Sequence, residues 1–142
     1  MADTTNQLRV RLVTPERVMV ECLATAVDLP SKTGYFEALY GHAPTVAELG
    51  AGDVILHGDS CEGQVFNVSW GFVEVLPDRV TILANDALKP EDIDVPRAEK
   101  QKQRGEQEWK DAGDSEEAYT EALRVIAEAE AKINSAHNAG KH

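Results

Sequence analysis

The residues able to do chemistry in this chain are few. His42 lies between Gly41 and Pro44, in a stretch that also carries Tyr35, Phe36 and Tyr40. Ser31, Ser60 and Ser69 offer hydroxyls elsewhere. A catalytic histidine works on a nucleophile or carboxylate that a third group holds in place. No motif fixes any of these serines beside His42, so an esterase-like enzyme is the remote reading. His42 reads instead as a packed or hydrogen-bonded loop histidine. His57 and Cys61 are two metal-ligand types, but Gly58-Asp59-Ser60 between them reads as a hairpin turn, and structural zinc takes four ligands. Cys22 is the only other cysteine. Both thiols read as small buried hydrophobes of a reducing compartment. No catalytic residue and no metal is expected.

Those residues need elements to hold them. The chain has 142 residues, about one ordinary domain or a small domain with an appendage. Its net charge of −11 argues against nucleic acid and against direct binding to anionic lipid. No stretch approaches the ~20 apolar residues of a membrane-spanning helix. Met1-Ala2-Asp3-Thr4-Thr5-Asn6 shows neither the basic nor the apolar region of a signal peptide.

The acid is unevenly placed. Residues 1–96 carry six basic and fifteen acidic side chains, net −9, together with all six prolines. Residues 97–142 carry eight basic and ten acidic ones, net −2, and no proline. The first part reads as short strands. Leu8, Val10 and Leu12 alternate with Arg9 and Arg11. Val18, Val20 and Cys22 alternate likewise, and Pro30 is expected to end the run at Val27 and Leu29. Val54-Ile55-Leu56 and Val65-Phe66-Asn67-Val68 are further candidates. Phe72–Leu76 and Arg79–Leu83 flank the turn pair Pro77-Asp78. Gly34 to Pro44 reads as a loop. Together these suggest an antiparallel β-sandwich.

The second part reads as two helices. Asp94 and Pro96 open the first, which ends near Asp111 before Ala112-Gly113. Gly105 costs its middle ~1 kcal/mol relative to Ala. Asp114 and Ser115 cap the second, with Asp114 and Glu117 at capping-box spacing. Its apolar face is Tyr119, Ala122, Leu123, Ile126, Ala129 and Ile133.

Four motifs in order resemble one family. Gly34-Tyr35-Phe36-Glu37-Ala38-Leu39-Tyr40-Gly41-His42-Ala43-Pro44 is similar to the G-x-x-G-x-L-P-G-H-A-P loop of F-type ATP synthase epsilon subunits, departing at Glu37 and Tyr40. Ser69-Trp70-Gly71-Phe72-Val73-Glu74-Val75 resembles their S-G-G-F-x-E-V strand, with Trp70 in place of a small residue. Asp78-Arg79-Val80-Thr81-Ile82-Leu83-Ala84 resembles D-x-V-T-I-L-A, and Ile93-Asp94-Val95-Pro96-Arg97-Ala98 resembles I/L-D-x-x-R-A.

The resemblance implies β plus α architecture. An antiparallel sandwich of about ten short strands spans residues 1–90. A helical hairpin spans residues 91–142, with a ragged tail from about 136. It implies a non-catalytic rotor subunit of a proton-translocating complex, peripheral on the cytoplasmic face of the bacterial plasma membrane. The sandwich would bind the gamma subunit and the polar loops of the c-ring. The hairpin, extended, would reach the alpha and beta subunits and inhibit ATP hydrolysis. Tyr35, Phe36, Tyr40, His42 and Trp70 are the interface candidates, with Trp70 either filling a core gap or facing gamma. In some bacterial members the hairpin binds ATP, which makes Ile93, Asp94, Arg97, Ala98 and Arg124 candidates. Glu128 and Lys132 stand where those members carry arginine, and a carboxylate there repels phosphate. No other cofactor is expected. The competing class is a free-standing acidic β-sandwich binding module with a helical tail.

Overall fold

A computed structural model describes residues 6–139. The N-terminal signal reading and Lys141 therefore fall outside the described residues. The chain divides into two compact units, with the boundary between Leu88 and Lys89.

The first unit is a β-sandwich of seven strands: β1 (Leu8–Val13), β2 (Val18–Ala24), β3 (Ala26–Ser31), β4 (Gly34–Leu39), β5 (Thr45–His57), β6 (Val65–Leu76) and β7 (Arg79–Leu88). Their order is β2-β1-β7-β6-β5-β3-β4. Every pairing is antiparallel except β1 with β7, which is parallel. Leu8, Val10, Leu12, Leu29, Leu49, Val54, Leu56, Phe66, Val68, Val73, Val80 and Ile82 fill the interior with no exposed surface or almost none.

Seven strands stand where about ten were expected, because three of them run unbroken through a level at which their side chains change face. In β5 the inward residues are Ala47 and Leu49, then Val54 and Leu56, so the side-chain parity flips near Gly50. In β6 it flips between Val68 and Val73, and in β7 between Ala84 and Ala87. The ladders skip a step at the same level, between Leu49/Gly71 and Ala51/Ser69, and between Ser69/Asp86 and Gly71/Ala84. The register is the same on both sides of that level, so no residue is inserted; the three strands turn their side chains over together, each skipping one pairing there. Each long strand thus presents two segments that face opposite ways, and the count is seven rather than ten.

Two local expectations change. Pro30 lies inside β3 rather than ending it, because the β3–β5 register shifts between Asp28 and Ser31 and a bulge tolerates the missing N–H. Gly34–Leu39 is a strand on the sheet edge, not a loop.

The second unit has a short 3-10 turn at Pro90–Asp92, then α1 (Val95–Asp111) and α2 (Glu116–Asn138). Asp94 caps α1 by accepting from the Arg97 N–H at 3.1 Å. The α2 cap is Ser115, which accepts from the Ala118 N–H, so the residue at the box position is Ala118 and no Asp114–Glu117 box forms. Ala122 and Ala129 are fully buried, whereas Tyr119 and Leu123 stay largely outside.

Gly105 has a reason that its helix propensity hides. A Cβ there would lie 2.8 Å from Ile126 Cγ1, 3.1 Å from Val125 Cγ1 and 3.3 Å from the Ile126 backbone nitrogen. The missing side chain lets α1 and α2 approach closely. Gly105→Ala gains ~1 kcal/mol of helix propensity but overpacks the seam by about 1–3 kcal/mol. The hairpin should therefore lose hydrogen-exchange protection in both helices; greater protection would show that the helices can part without cost.

Candidate docking surface

Phe36 and His42 come together, with ring centroids 6.3 Å apart. Phe36 also packs on the sandwich core. His42 Nδ1 lies 2.7 Å from the Ala43 carbonyl oxygen, a bond that holds the ring against its own loop. Tyr40 projects from the same turn and is exposed. That turn is tied to the β6–β7 connection, since the Gly41 N–H donates to the Pro77 carbonyl at 2.7 Å. Tyr35 is 61% exposed, yet its hydroxyl accepts from the Asp53 N–H at 2.8 Å. Trp70 lies in β6, where the strand's side chains change face, with φ at +60°.

The sequence reading missed an outward sheet face. Phe72 pairs with Leu83, Leu83 level with Val13, and Val13 with Val18. These four side chains form one row across β6, β7, β1 and β2, opposite in parity to buried Val73, Ile82 and Leu12. Phe72 and Leu83 are each 53% exposed, and neighbouring Val46 on β5 is 71% exposed. Beside this row, on the same face, stand Arg11, Thr81, Arg9 and Arg79. Contiguous exposed apolar area rimmed by polar groups marks interaction sites, and arginine is enriched in protein interfaces. The signal was present in the sequence: Phe72 shares its parity with Glu74, and Leu83 with Thr81.

His57 takes carboxylate partners. Its Nε2 lies 2.9 Å from Asp28 Oδ2, and its Nδ1 3.9 Å from Glu62 Oε1. Gly58-Asp59-Ser60 is part of a longer connection from 58 to 64, pinned where the Gly58 N–H donates to Glu62 Oε2 at 2.6 Å. The hydrogen bond to Asp28 raises the His57 pKa above 6.5, helped by the charges of Asp28, Glu62 and Glu37 and opposed by burial. A raised folded-state pKa means that this contribution to stability is complete below the unfolded value and disappears as pH rises through the folded one. His57→Gln should therefore lower the melting temperature more at about pH 5 than at about pH 9. An equal loss at both values would refute the charged His57–Asp28 pairing.

Cys22 lies against Cys61. Burial, with the neighbouring thiol, pushes the Cys22 thiol up to about 12, which leaves it protonated and inert. Cys61 is buried and its Sγ donates to the Leu23 carbonyl at 3.2 Å. Cys61 packs as the small hydrophobe expected; Cys22 is only half buried.

In the hairpin, Ile93 and Ala98 are buried and Asp94 is occupied as the helix cap. Arg97 is exposed. Arg124 Nη1 lies 3.8 Å from Glu121, and Lys132 pairs with Glu128 at 3.0 Å. The lysine at this position is thus matched by a carboxylate one turn away.

A β-sandwich with an apolar outward face flanked by arginines, joined to a helical hairpin, is built to dock to other proteins. The family model described as the ATP synthase, Delta/Epsilon chain, beta-sandwich domain matches residues 7–90. An ATP synthase epsilon chain of Koribacter versatilis is 43% identical over 115 residues, 80% of this chain and 77% of that one. One from Solibacter usitatus is 35% identical over 136 residues, covering 96% and 98%. The fold resembles a chain in the cryo-EM structure of the Euglena gracilis mitochondrial ATP synthase OSCP/F1/c-ring, with TM-score 0.74, 18% identity, and coverage of 99% of this chain and 85% of that one. It also resembles one in the Tetrahymena thermophila mitochondrial ATP synthase central stalk and c-ring, with TM-score 0.70, 13% identity, and coverage of 94% and 99%. The chain belongs to the delta/epsilon chain family of ATP synthases.

Proposed function

We propose that this chain is a non-catalytic central-stalk subunit of a bacterial proton-translocating F-type ATP synthase, coupling rotation of the c-ring to gamma and the catalytic hexamer. The observation that carries the reading is the full-length likeness to a bacterial ATP synthase epsilon chain, 35% identical across both units. The outward row of Phe72, Leu83, Val13 and Val18, with Val46 near it on β5, supplies the apolar docking face for gamma. Tyr35, Phe36, Tyr40, His42 and Trp70 are candidates for the gamma and c-ring contacts, with exposed Tyr35 and Tyr40 foremost because Phe36 is largely used by the core. No helix among the described residues is long and apolar enough to cross a membrane. The chain is held at the cytoplasmic face of the plasma membrane by protein contacts. The hairpin reaches the alpha and beta subunits. With Asp94 capping α1 and Glu128 beside Lys132, the proposal assigns it no nucleotide.

The chain should travel with gamma and the catalytic hexamer from gently solubilised membranes; elution by itself would overturn the proposal. Removing the residues from Pro96 onward should preserve coupled synthesis and raise ATP hydrolysis. Unchanged hydrolysis would remove the inhibitory role and leave the coupling role standing.

A further inference from the structure

We infer that the sandwich carries a carboxylate-binding groove, formed by Arg9, Arg11, Arg79 and Thr81, which takes an acidic segment of the protein docked on the adjoining apolar row. The inference rests on the docking role proposed for that face and adds the chemistry of the partner.

Arg9 and Arg79 sit at the same level of the parallel β1–β7 ladder. Neighbouring strands are about 4.8 Å apart, so their side chains leave the sheet side by side. Like charges directly opposite one another destabilise a sheet. Arg11, two residues on, is relieved by Glu21 at 2.9 Å. Among the described residues no acid forms an ion pair with Arg9 or Arg79. This happens in a segment where acids outnumber bases fifteen to six, and three of those six bases are gathered here. The clustering runs against the charge of its surroundings, and of its three arginines only Arg11 has an ion-paired acid among the described residues.

The same residues line a groove of about 610 Å³ whose other walls include Glu21 and Leu23. A guanidinium offers a planar fork of donors that matches a carboxylate or phosphate in pairs. Thr81 adds a hydroxyl beside Arg11. The neighbouring groups choose between the two anions. Arg11 adjoins Val13 along β1, and Thr81 adjoins Leu83 along β7, so the groove opens onto the apolar row. A protein segment with Asp or Glu beside apolar side chains covers both surfaces; a free phosphate covers one. The acidic segment fixes the orientation of docking and speeds encounter, as complementary charge does at interfaces.

The test uses the full chain, added back to ATP synthase stripped of this subunit, with binding measured at low and high salt. Arg9→Glu with Arg79→Glu should weaken binding about tenfold or more at low salt and flatten its salt dependence. Arg79→Glu alone creates a cross-strand ion pair with Arg9, so it should melt no lower than the wild type while binding less well. A lower melting temperature would refute the uncompensated repulsion. Normal binding and salt response of the double variant would overturn the inference. If Phe72→Ser then released the subunit, the docking face would survive without the groove; if it did not, the docking reading would fail as well. A calorimetric signal with inorganic phosphate that vanishes in the double variant, with subunit binding unchanged, would make this a small-anion site and would also overturn the inference.

Discussion

Replacing Gly71 by alanine should destabilise the sandwich severely. Gly71 has φ at +126°, a conformation that L side chains rarely adopt. A Cβ there would stand 2.0 Å from the Leu83 carbonyl oxygen and 3.0 Å from its carbon. The obstructing atoms are backbone in β7, so no rotamer change gives relief. The strained φ alone costs about 1–3 kcal/mol, and opening the β6–β7 ladder to relieve the clash brings the total to about 4 kcal/mol or more. Against a marginal stability of about 5–15 kcal/mol, that consumes much of the reserve. For a unit of this size the melting temperature should fall by about 20 °C. Gly34→Ala is the matched control. Its φ is +130° but its Cβ would meet nothing within 4 Å, so it should cost only the conformational part. If the two variants melt alike, the close approach of β6 to β7 is not what makes glycine necessary.

Phe72→Ser should separate folding from assembly. Phe72 is 53% exposed and points away from the interior, so the free chain should lose no more than about 1 kcal/mol. If gamma covers the row, an aromatic at its centre is an anchor of the kind whose truncation costs about 2 kcal/mol or more, roughly a thirtyfold loss of affinity. The expected result is a variant that melts near the wild type and dissociates from the complex on purification. Retention with wild-type affinity would place the gamma contact elsewhere on the sandwich.

Local patterns carried much of the architecture. The alternation of Leu8, Val10 and Leu12, the Pro77-Asp78 hairpin, and the Asp94 cap with Pro96 are determined by neighbours in the chain, and each stands as the pattern implies. The reading failed where the deciding partner is distant. A parity flip at Gly50, Trp70 or Asn85 resembles the end of one strand and the start of another, because a local alternation does not reveal a ladder that continues in register past the flip. Gly34–Leu39 buries only Ala38, so an edge strand resembled a loop. Gly105 looked like a defect because Ile126 is twenty-one residues away in the chain. Phe72 and Leu83 are strand formers by type, and that propensity is the same whichever side of the sheet they face. The arginine groove depends on β1 meeting β7 across seventy residues, which no short motif records.

That meeting has a mechanical consequence. β7 is a ten-residue strand held by β6 from end to end and by β1 over its first half, Arg79–Leu83, and the chain passes from its end at Leu88 into the second unit. A pull on the second unit directed along β7 would load both ladders in shear, so their hydrogen bonds would have to yield together. A strand on the sheet edge would be peeled open one bond at a time. A part that turns under torque is therefore tethered at an interior strand, where a tug along the chain meets ladders in shear rather than an edge that peels.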